Sequence, residues 1–459
     1  MSLHIIVLAA GQGKRMYSSL PKVLHPLAGT PMLQRVVNTA SELKPDGIHV
    51  IFGHGGDQIQ QALPDLPVQW VLQAQQLGTG HAVMQALPLI PADSQVLVLS
   101  ADVPLIQVET LKSLMTACVV TPSQRPPLGL LVTVLDDPFG LGRIVRDDNG
   151  RIAAIVEEKD ATEQERRIQE IYTGVCCARA ADLARWLPKL SAANAQEEYY
   201  LTEIIAMSAR EGTPIVSFCT ADTAEVQGVN NPEQLHTLER IWQTRQATQL
   251  MRAGVRLADA NRIDIRGELT CGRDVFIDIN AVFEGKVHLG DGCHIGPNCV
   301  LRNVTVGQNS TIHANSILED SILGDACHVG PFARLRPGTV LGAHCKIGNF
   351  VETKQAVFGD HSKASHLSYL GDATIGQNVN IGAGTITCNY DGANKHQTII
   401  EDGVFVGSDT QFVAPVTIGK NATIGAGSTI RKNVPAEELT LTASVQKTVM
   451  GWKRPVKRS

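Results

Sequence analysis

The sequence predicts two successive architectures, an α/β domain on a parallel sheet and then a parallel β-helix, joined by one helix. Three observations lead there. Strand-like and helix-like segments alternate through residues 1–230, the pattern of a parallel sheet covered on both faces. Residues 231–254 carry the punctuation of a single helix. Over residues 255–459 an aliphatic residue followed by glycine returns every six positions, a short period that marks stacked β-coils.

In the first part, Leu3–Ala10 is an apolar run that reads as a buried strand. Pro31–Lys44 reads as a helix, Ile48–Phe52 and Val68–Gln73 as strands, Ala82–Leu87 as helical and Val96–Ser100 as a strand. Asp148-Asn149-Gly150 sits between two apolar runs within Arg143–Val156, which predicts a β-hairpin inserted into the plan. In the joint, Asn231 is placed to cap a helix, Pro232 suits its first turn and Gln234 completes a capping box. Gly254 supplies the stop.

In the second part, Leu323-Gly324, Val329-Gly330, Leu341-Gly342 and Ile347-Gly348 hold one phase, and Leu335 keeps it where Arg336 replaces the glycine. Ile375-Gly376, Ile381-Gly382, Val406-Gly407, Ile418-Gly419 and Ile424-Gly425 continue it. The aliphatic residue should stack inward and the glycine should permit tight corners. An aromatic content of 4% suits a narrow core. Cys293, Cys299, Cys327 and Cys345 share a slot with Ala333, Ala422 and Ser428, which predicts core packing and not metal ligation; no Cys-x-x-Cys pair exists. The polar stretch between Ala383 and Val406 interrupts the period and should project as a functional loop.

Hydrophobic residues make up 43% and charged residues 19% of 459 residues, which predicts packed domains, two or three in number. A net charge of −5 argues against a general nucleic-acid binder. No apolar run reaches 18 residues, so no membrane span is expected. The apolar start has no basic n-region and stops at a glycine turn; it reads as a strand, leaving a cytoplasmic protein with ten free thiols.

Leu8-Ala9-Ala10-Gly11-Gln12-Gly13-Lys14-Arg15-Met16 follows the first strand. It is neither a dinucleotide fingerprint nor a P-loop. A glycine-rich turn after a strand still offers backbone N–H groups to an anion, and Lys14, Arg15 and Lys22 add positive charge. The alternative is an ordinary turn with solvated bases. Asp102 falls just beyond a strand end, where open α/β sheets bind ligands, and a carboxylate beside phosphates points to Mg²⁺. Asn230 either shares that metal or caps the helix; Asn231 is the better cap.

LAAGQGKRM, Pro21-Lys22-Val23-Leu24, LGTGHAV (77–83) and ADVP (101–104) resemble the sugar-1-phosphate nucleotidyltransferases. GLGRI (140–144), VEEKDAT (156–162), NAQEEYYLTEII (194–205) and GVNN (228–231), with the repeat half, narrow the resemblance to the bifunctional N-acetylglucosamine-1-phosphate uridyltransferase/glucosamine-1-phosphate acetyltransferase family over nearly the whole chain. The resemblance implies a Rossmann-like nucleotidyltransferase domain followed by a left-handed parallel β-helix of hexapeptide repeats. It implies uridylyl transfer from UTP with release of pyrophosphate, a reaction that needs positioning and charge neutralisation. It assigns Arg15 and Lys22 to the phosphates, and Leu8, Ala9, Ala10, Gly11, Gln73, Gly78 and Thr79 to the nucleotide. Gly142 and Glu157 would face the sugar, and Asp102 and Asn230 would hold Mg²⁺. Ser100 and Ala101 stand where the family usually has tyrosine and glycine, and Tyr172 where it has asparagine, all at expected sugar contacts.

PFARLRPG (331–338), NFVETK (349–354), SHLSYLGD (365–372), NVNIGAGTITCNYDG (378–392) and VGSDTQ (406–411) carry the resemblance through the second half. An amino sugar must lose a proton before attacking a thioester, and histidine suits that task; His366 is the candidate base. The resemblance implies that Arg336 and Lys354 bind the sugar phosphate, that Glu352 orients the base, and that Tyr369 and Asn380 contact the sugar. Ala383, Asn389, Tyr390, Ser408 and Ala426 would line the acetyl-CoA site, and Lys395 would help bind substrate. It further implies a homotrimer through the β-helix. An arginine usual near Ala443 is absent. The rival readings are a single-activity nucleotidyltransferase and a regulatory subunit of similar architecture. His366 with the loop argues against the first, and the intact phosphate loop argues against the second.

Overall fold

The computed structural model describes residues 2–11, 13–53, 55–119, 125–442 and 445–455, and the chain divides into two compact units, residues 1–242 and 243–459. The first unit is built on strands β1 (Leu3–Leu8), β2 (Gly47–Phe52), β3 (Gln69–Leu72), β4 (Gln95–Ser100), β5 (Leu128–Val134), β6 (Arg143–Arg146), β7 (Ile152–Val156), β8 (Glu170–Arg179) and β9 (Ile215–Cys219). They lie in the order β9-β5-β8-β4-β1-β2-β3, with the β6/β7 hairpin hanging from β8. β1 is almost wholly apolar, His4 excepted, because both its faces are covered: Ile5 and Val7 enter one core, Ile6 the other.

The sheet is mixed where a parallel one was expected. β8 runs antiparallel to both β4 and β5. The connection from β5 to β8 carries the hairpin in place of a crossover helix, so the chain returns in the opposite direction. β1 pairs in parallel with β2 on one side and β4 on the other. Strand order therefore reverses at β1, which opens a crevice at the carboxyl ends of β1 and β4.

One helix, Pro232–Arg252, follows. Asn231 Oδ1 accepts from the Gln234 N–H at 2.8 Å. The Gln234 side chain reaches back to the N–H of Asn230, at 2.7 Å, one residue before the cap. At the other end the Gly254 N–H donates to Met251 O and that of Val255 to Leu250 O, both at 3.0 Å, with Gly254 at φ 96°; this is a Schellman stop.

The second unit is a left-handed β-helix of hexapeptide repeats. Its inward residues form a continuous column, Ile277-Ile295-Ile312-Val329-Ile347-Ala364-Ile381, each aligned with the next across parallel pairs. Three corners close each coil. In one coil Asn298, Asn303 and Asn309 take left-handed φ of 59°, 52° and 55°, and Asn315 begins the next coil at 59°. Asparagine tolerates this conformation and can hydrogen-bond to its neighbour: Asn280 donates to Asn298 at 2.9 Å and Asn298 to Asn315 at 3.2 Å. Asparagine thus turns several of the corners, and glycines such as Gly285, Gly292 and Gly338, at φ 66°, 69° and 80°, turn others. The repeat glycines serve clearance, because a Cβ on Gly307 would meet the Gly324 carbonyl carbon at 2.5 Å. The cysteine slot is buried, and it also donates. The thiols of Cys293, Cys327 and Cys345 reach carbonyl oxygens of the next coil at 3.1, 3.1 and 3.2 Å.

The expected long loop is shorter than the sequence suggested. Ile386–Cys388 and Thr398–Ile400 remain strands of the wall, so only residues 389–397 leave it.

Candidate functional site

At the crevice of the first unit, the chain leaves β1 through Ala9, Ala10 and Gly11. Gln76 Nε2 holds the turn by donating to Ala10 O at 2.6 Å. Gly13 has φ 61°, and a Cβ there would meet the Lys22 Cβ at 2.6 Å, so only glycine lets the Lys22 stem cross the turn. Lys22 Nζ is bound by Asp102 Oδ2 and lies 3.4 Å from Asn230 Oδ1. Ser100 Oγ donates to the other Asp102 oxygen at 2.7 Å. An ammonium therefore stands between the two groups singled out as metal ligands.

A cavity of about 610 Å³ is lined by Leu8, Ala9, Ala10, Gly11, Arg15, Lys22, Gln73, Gly78, Thr79, Ser100, Asp102 and Asn230. An adjoining cavity of about 760 Å³ is lined by Gly142, Glu157 and Tyr172, and shares Leu8, Arg15, Thr79, Ser100, Asp102 and Asn230. Ala101 lines neither; it is fully buried in the core, and its N–H is taken by Leu8 O at 3.0 Å. Gln73 is 3% exposed and donates to Gly78 O at 3.1 Å. Burial pushes the Glu157 carboxyl up, against the lowering effect of the Thr202 hydroxyl, which donates to it at 3.0 Å. Tyr172 is 9% exposed, and its hydroxyl is buried beside the Cys176 thiol. Thr202 was not singled out from the sequence, although its motif was; a hydroxyl two residues from a tyrosine pair carries no signal of its own. The loop over this cavity is anchored by Arg143, 2% exposed, which pairs with Glu158 at 2.6 Å.

In the second unit contacts join the predicted residues into three groups along the wall, with Asn380, Tyr390 and His366 standing outside them. Arg336 pairs with Glu352 at 2.8 Å. Lys354 is close enough to Lys395, and then to Arg336, for these cations to lower its pKa, so three positive groups converge. Tyr369 and Asn389 meet over Gly371, where a Cβ would strike both side chains; Asn389 also donates to Asp372. Ala383, Ser408 and Ala426 lie one above another: Asp409 N–H donates to Ala383 O at 2.7 Å and Gly427 N–H to Ser408 O at 2.8 Å. Asn380 pairs with Lys363. Tyr390 is 62% exposed on the loop. Asp391 shapes that loop; the Asn394 N–H, His396 and the Ala393 N–H hold its carboxyl well below the usual range.

His366 ends the strand Lys363–His366, and its Nδ1 lies 2.7 Å from Asn349 Oδ1 on the preceding coil. Glu352, expected to orient the base, is engaged by Arg336. Ala443 lies outside the described residues, as does Gln12 of the glycine-rich turn. Among the described residues no group of three or more His, Cys, Asp or Glu is placed to hold a metal, and no helix is long and apolar enough to cross a membrane.

A glycine turn and carboxylate at a switch point, joined to a hexapeptide β-helix carrying a histidine, define a nucleotidyltransferase fused to an acyltransferase. Residues 5–137 match the MobA-like NTP transferase domain, residues 265–365 the GMPPB C-terminal domain, and residues 397–432 the bacterial transferase hexapeptide. Over 458 residues the chain is 66% identical to the bifunctional protein GlmU of Legionella pneumophila (strain Lens), covering 100% of this chain and 99% of that one. It is 54% identical over 455 residues to that of Marinobacter nauticus, with 99% of each covered. With that of Alkalilimnicola ehrlichii it shares 52% over 457 residues, covering 100% of this chain and 97% of that one. The chain belongs to the GlmU family of bifunctional uridyltransferase–acetyltransferase enzymes.

Proposed function

We propose that the chain makes UDP-N-acetylglucosamine in two steps. The β-helix unit transfers acetyl from acetyl-CoA to glucosamine 1-phosphate, and the α/β unit then couples the product to UTP with release of pyrophosphate. The observation that carries this reading is that two separate groups of reactive side chains assemble in one chain related over its full length to bifunctional enzymes. Residues 1–230 and 255–459 are the two catalytic domains, with 231–254 as the joint.

In the first site, Leu8 to Gly11, Gln73, Gly78 and Thr79 hold the nucleotide. Arg15 and Lys22 neutralise phosphate charge. Gly142, Glu157, Tyr172 and Ser100 bound the sugar. Asp102 and Asn230 suit Mg²⁺: they offer one carboxylate and one amide oxygen around a point where a cation already stands, and this ion takes few protein ligands besides substrate phosphates. When bound it would neutralise charge on the phosphates. A sugar-phosphate oxygen attacks the α-phosphorus of UTP, and the bond to the β-phosphate breaks as pyrophosphate leaves.

In the second site, Arg336, Lys354 and Lys395 take the sugar phosphate, and Tyr369 and Asn380 the sugar. Ala383, Asn389, Tyr390, Ser408 and Ala426 line the acetyl-CoA path. His366 removes a proton from the amine as its nitrogen attacks the thioester carbonyl. The C–S bond then breaks, and the proton leaves with the CoA thiol.

The chain works as a homotrimer in the cytoplasm. Support for assembly comes from one corner of the β-helix. Asn280, Asn298 and Asn315 stack there, but the following coils place Phe332, Phe350 and Leu367 in the same left-handed conformation, at φ 56°, 57° and 49°. These are 49%, 56% and 61% exposed. Bulky apolar residues are disfavoured both in that conformation and in water, and a second copy covering the corner removes the second cost.

The test is one incubation of purified protein with glucosamine 1-phosphate, acetyl-CoA, UTP and Mg²⁺, following free thiol and pyrophosphate separately. Both should appear. Asp102→Ala should cost at least about 100-fold in pyrophosphate release and spare thiol release; His366→Ala should lose thiol release by a similar factor, yet still release pyrophosphate when N-acetylglucosamine 1-phosphate is supplied in place of glucosamine 1-phosphate. Pyrophosphate formed only from supplied N-acetylglucosamine 1-phosphate, with no thiol, would sink the reading.

A further inference from the structure

We infer that Asn349 is the positioning residue that fixes the tautomer of His366; this rests on the acetyl-transfer reading above. The strands Lys346–Asn349 and Lys363–His366 are parallel neighbours in which Asn349 and His366 are aligned. The Asn349 Oδ1 to His366 Nδ1 distance is 2.7 Å. An amide oxygen only accepts, so Nδ1 carries the proton and Nε2 of the neutral ring keeps its lone pair. That lone pair is what a base needs, and the reverse tautomer would present a donor to the amine instead.

The backbone holds both partners in place. Each precedes a residue in left-handed conformation, Phe350 at φ 57° and Leu367 at φ 49°. The Leu367 N–H donates to Asn349 O at 3.1 Å, which locks the two corners together. The Ser368 hydroxyl ties the His366 carbonyl at 2.9 Å. Charged neighbours do not compete for Nδ1: Glu352 is paired with Arg336. Lys346 and Lys363 stand at the far ends of the same two strands. The following coil brings Asn380 and, three residues on, Ala383, neither of which titrates.

A neutral acceptor has a further consequence. It orients the ring without adding negative charge beside it, whereas a carboxylate would stabilise the imidazolium and keep the base protonated to higher pH.

The test measures acetyl transfer against pH for the full-length protein and two variants. Asn349→Ala should lower kcat about 30- to 100-fold with little change in KM for either substrate. Asn349→Asp, nearly identical in shape, should retain activity at high pH while the acidic limb of its kcat/KM profile moves up by about one pH unit. Circular dichroism melting establishes that both fold. An Asn349→Ala enzyme with unchanged kcat overturns the inference, and so does an Asn349→Asp profile that coincides with that of the unaltered protein. If the unaltered protein itself releases no thiol, it is the acetyl-transfer reading that fails.

Discussion

At the scale of single residues, buried titratable groups set how the first unit answers pH. His4 and His49 are 9% and 2% exposed on adjacent strands at the end of the sheet away from the crevice, with Nδ1 of one 3.1 Å from Nε2 of the other. Burial, then the neighbouring His4, pushes the His49 pKa below its ordinary value. A histidine kept neutral in the folded state contributes stability that is fully present above its unfolded pKa of about 6.5 and is lost as pH falls from there toward the folded value. The urea midpoint should therefore drop between pH 7.5 and pH 5.5, and His49→Gln should flatten that dependence. An unchanged slope in the variant would place the sensitivity elsewhere. The glycine-rich turn and its meeting with Lys22 and Asp102 in one cavity were legible at this scale because Gly13, Arg15, Lys22 and Asp102 are chemically distinctive. The burial of Ala101 was not, since nothing in a lone alanine tells which way it faces.

At the scale of elements, the six-residue repeat was plain in the sequence, but its physical reasons divide in a way the period hides. The repeat glycine after the aliphatic residue clears the path of the next coil's backbone, while the corners fall to other positions, asparagines and further glycines among them. Gly307→Ala, far from His366, should cost the second unit about 2–3 kcal/mol, because its Cβ would press on the backbone of Gly324. Denaturant unfolding followed on acetyl transfer reads this directly; a cost below about 0.5 kcal/mol would show that the coils can part freely. Asn349 escaped the sequence reading for a related reason. A strict period of six gives 18 residues per coil, yet Asn349 meets His366 across an offset of 17. Only the stacked coils reveal which register was skipped. The direction of β8 was likewise invisible, because a strand buried on both faces is equally apolar whichever way it runs.

At the scale of the whole molecule, two compact units with separate cores predict separable losses. Charge at the corner of Phe332, Phe350 and Leu367 should abolish assembly without touching uridylyl transfer. Phe350→Glu should sediment as a monomer and lose at least about ten-fold in acetyl transfer, while pyrophosphate release stays within about two-fold. A variant that remains assembled and fully active would show that the corner is not the interface.

The segment 389–397 shows what a stacked wall does with surplus chain. Successive coils align residues 17 or 18 positions apart, but Asn380 aligns with Phe405, 25 positions on. The remainder is less than a storey, so it cannot be laid as masonry and is hung outside like a balcony. Its length can then drift by single residues while every course above and below keeps its place. Natural variation in what this enzyme grips should therefore collect on that overhang, where Tyr390 and Lys395 sit, and leave the brickwork unchanged.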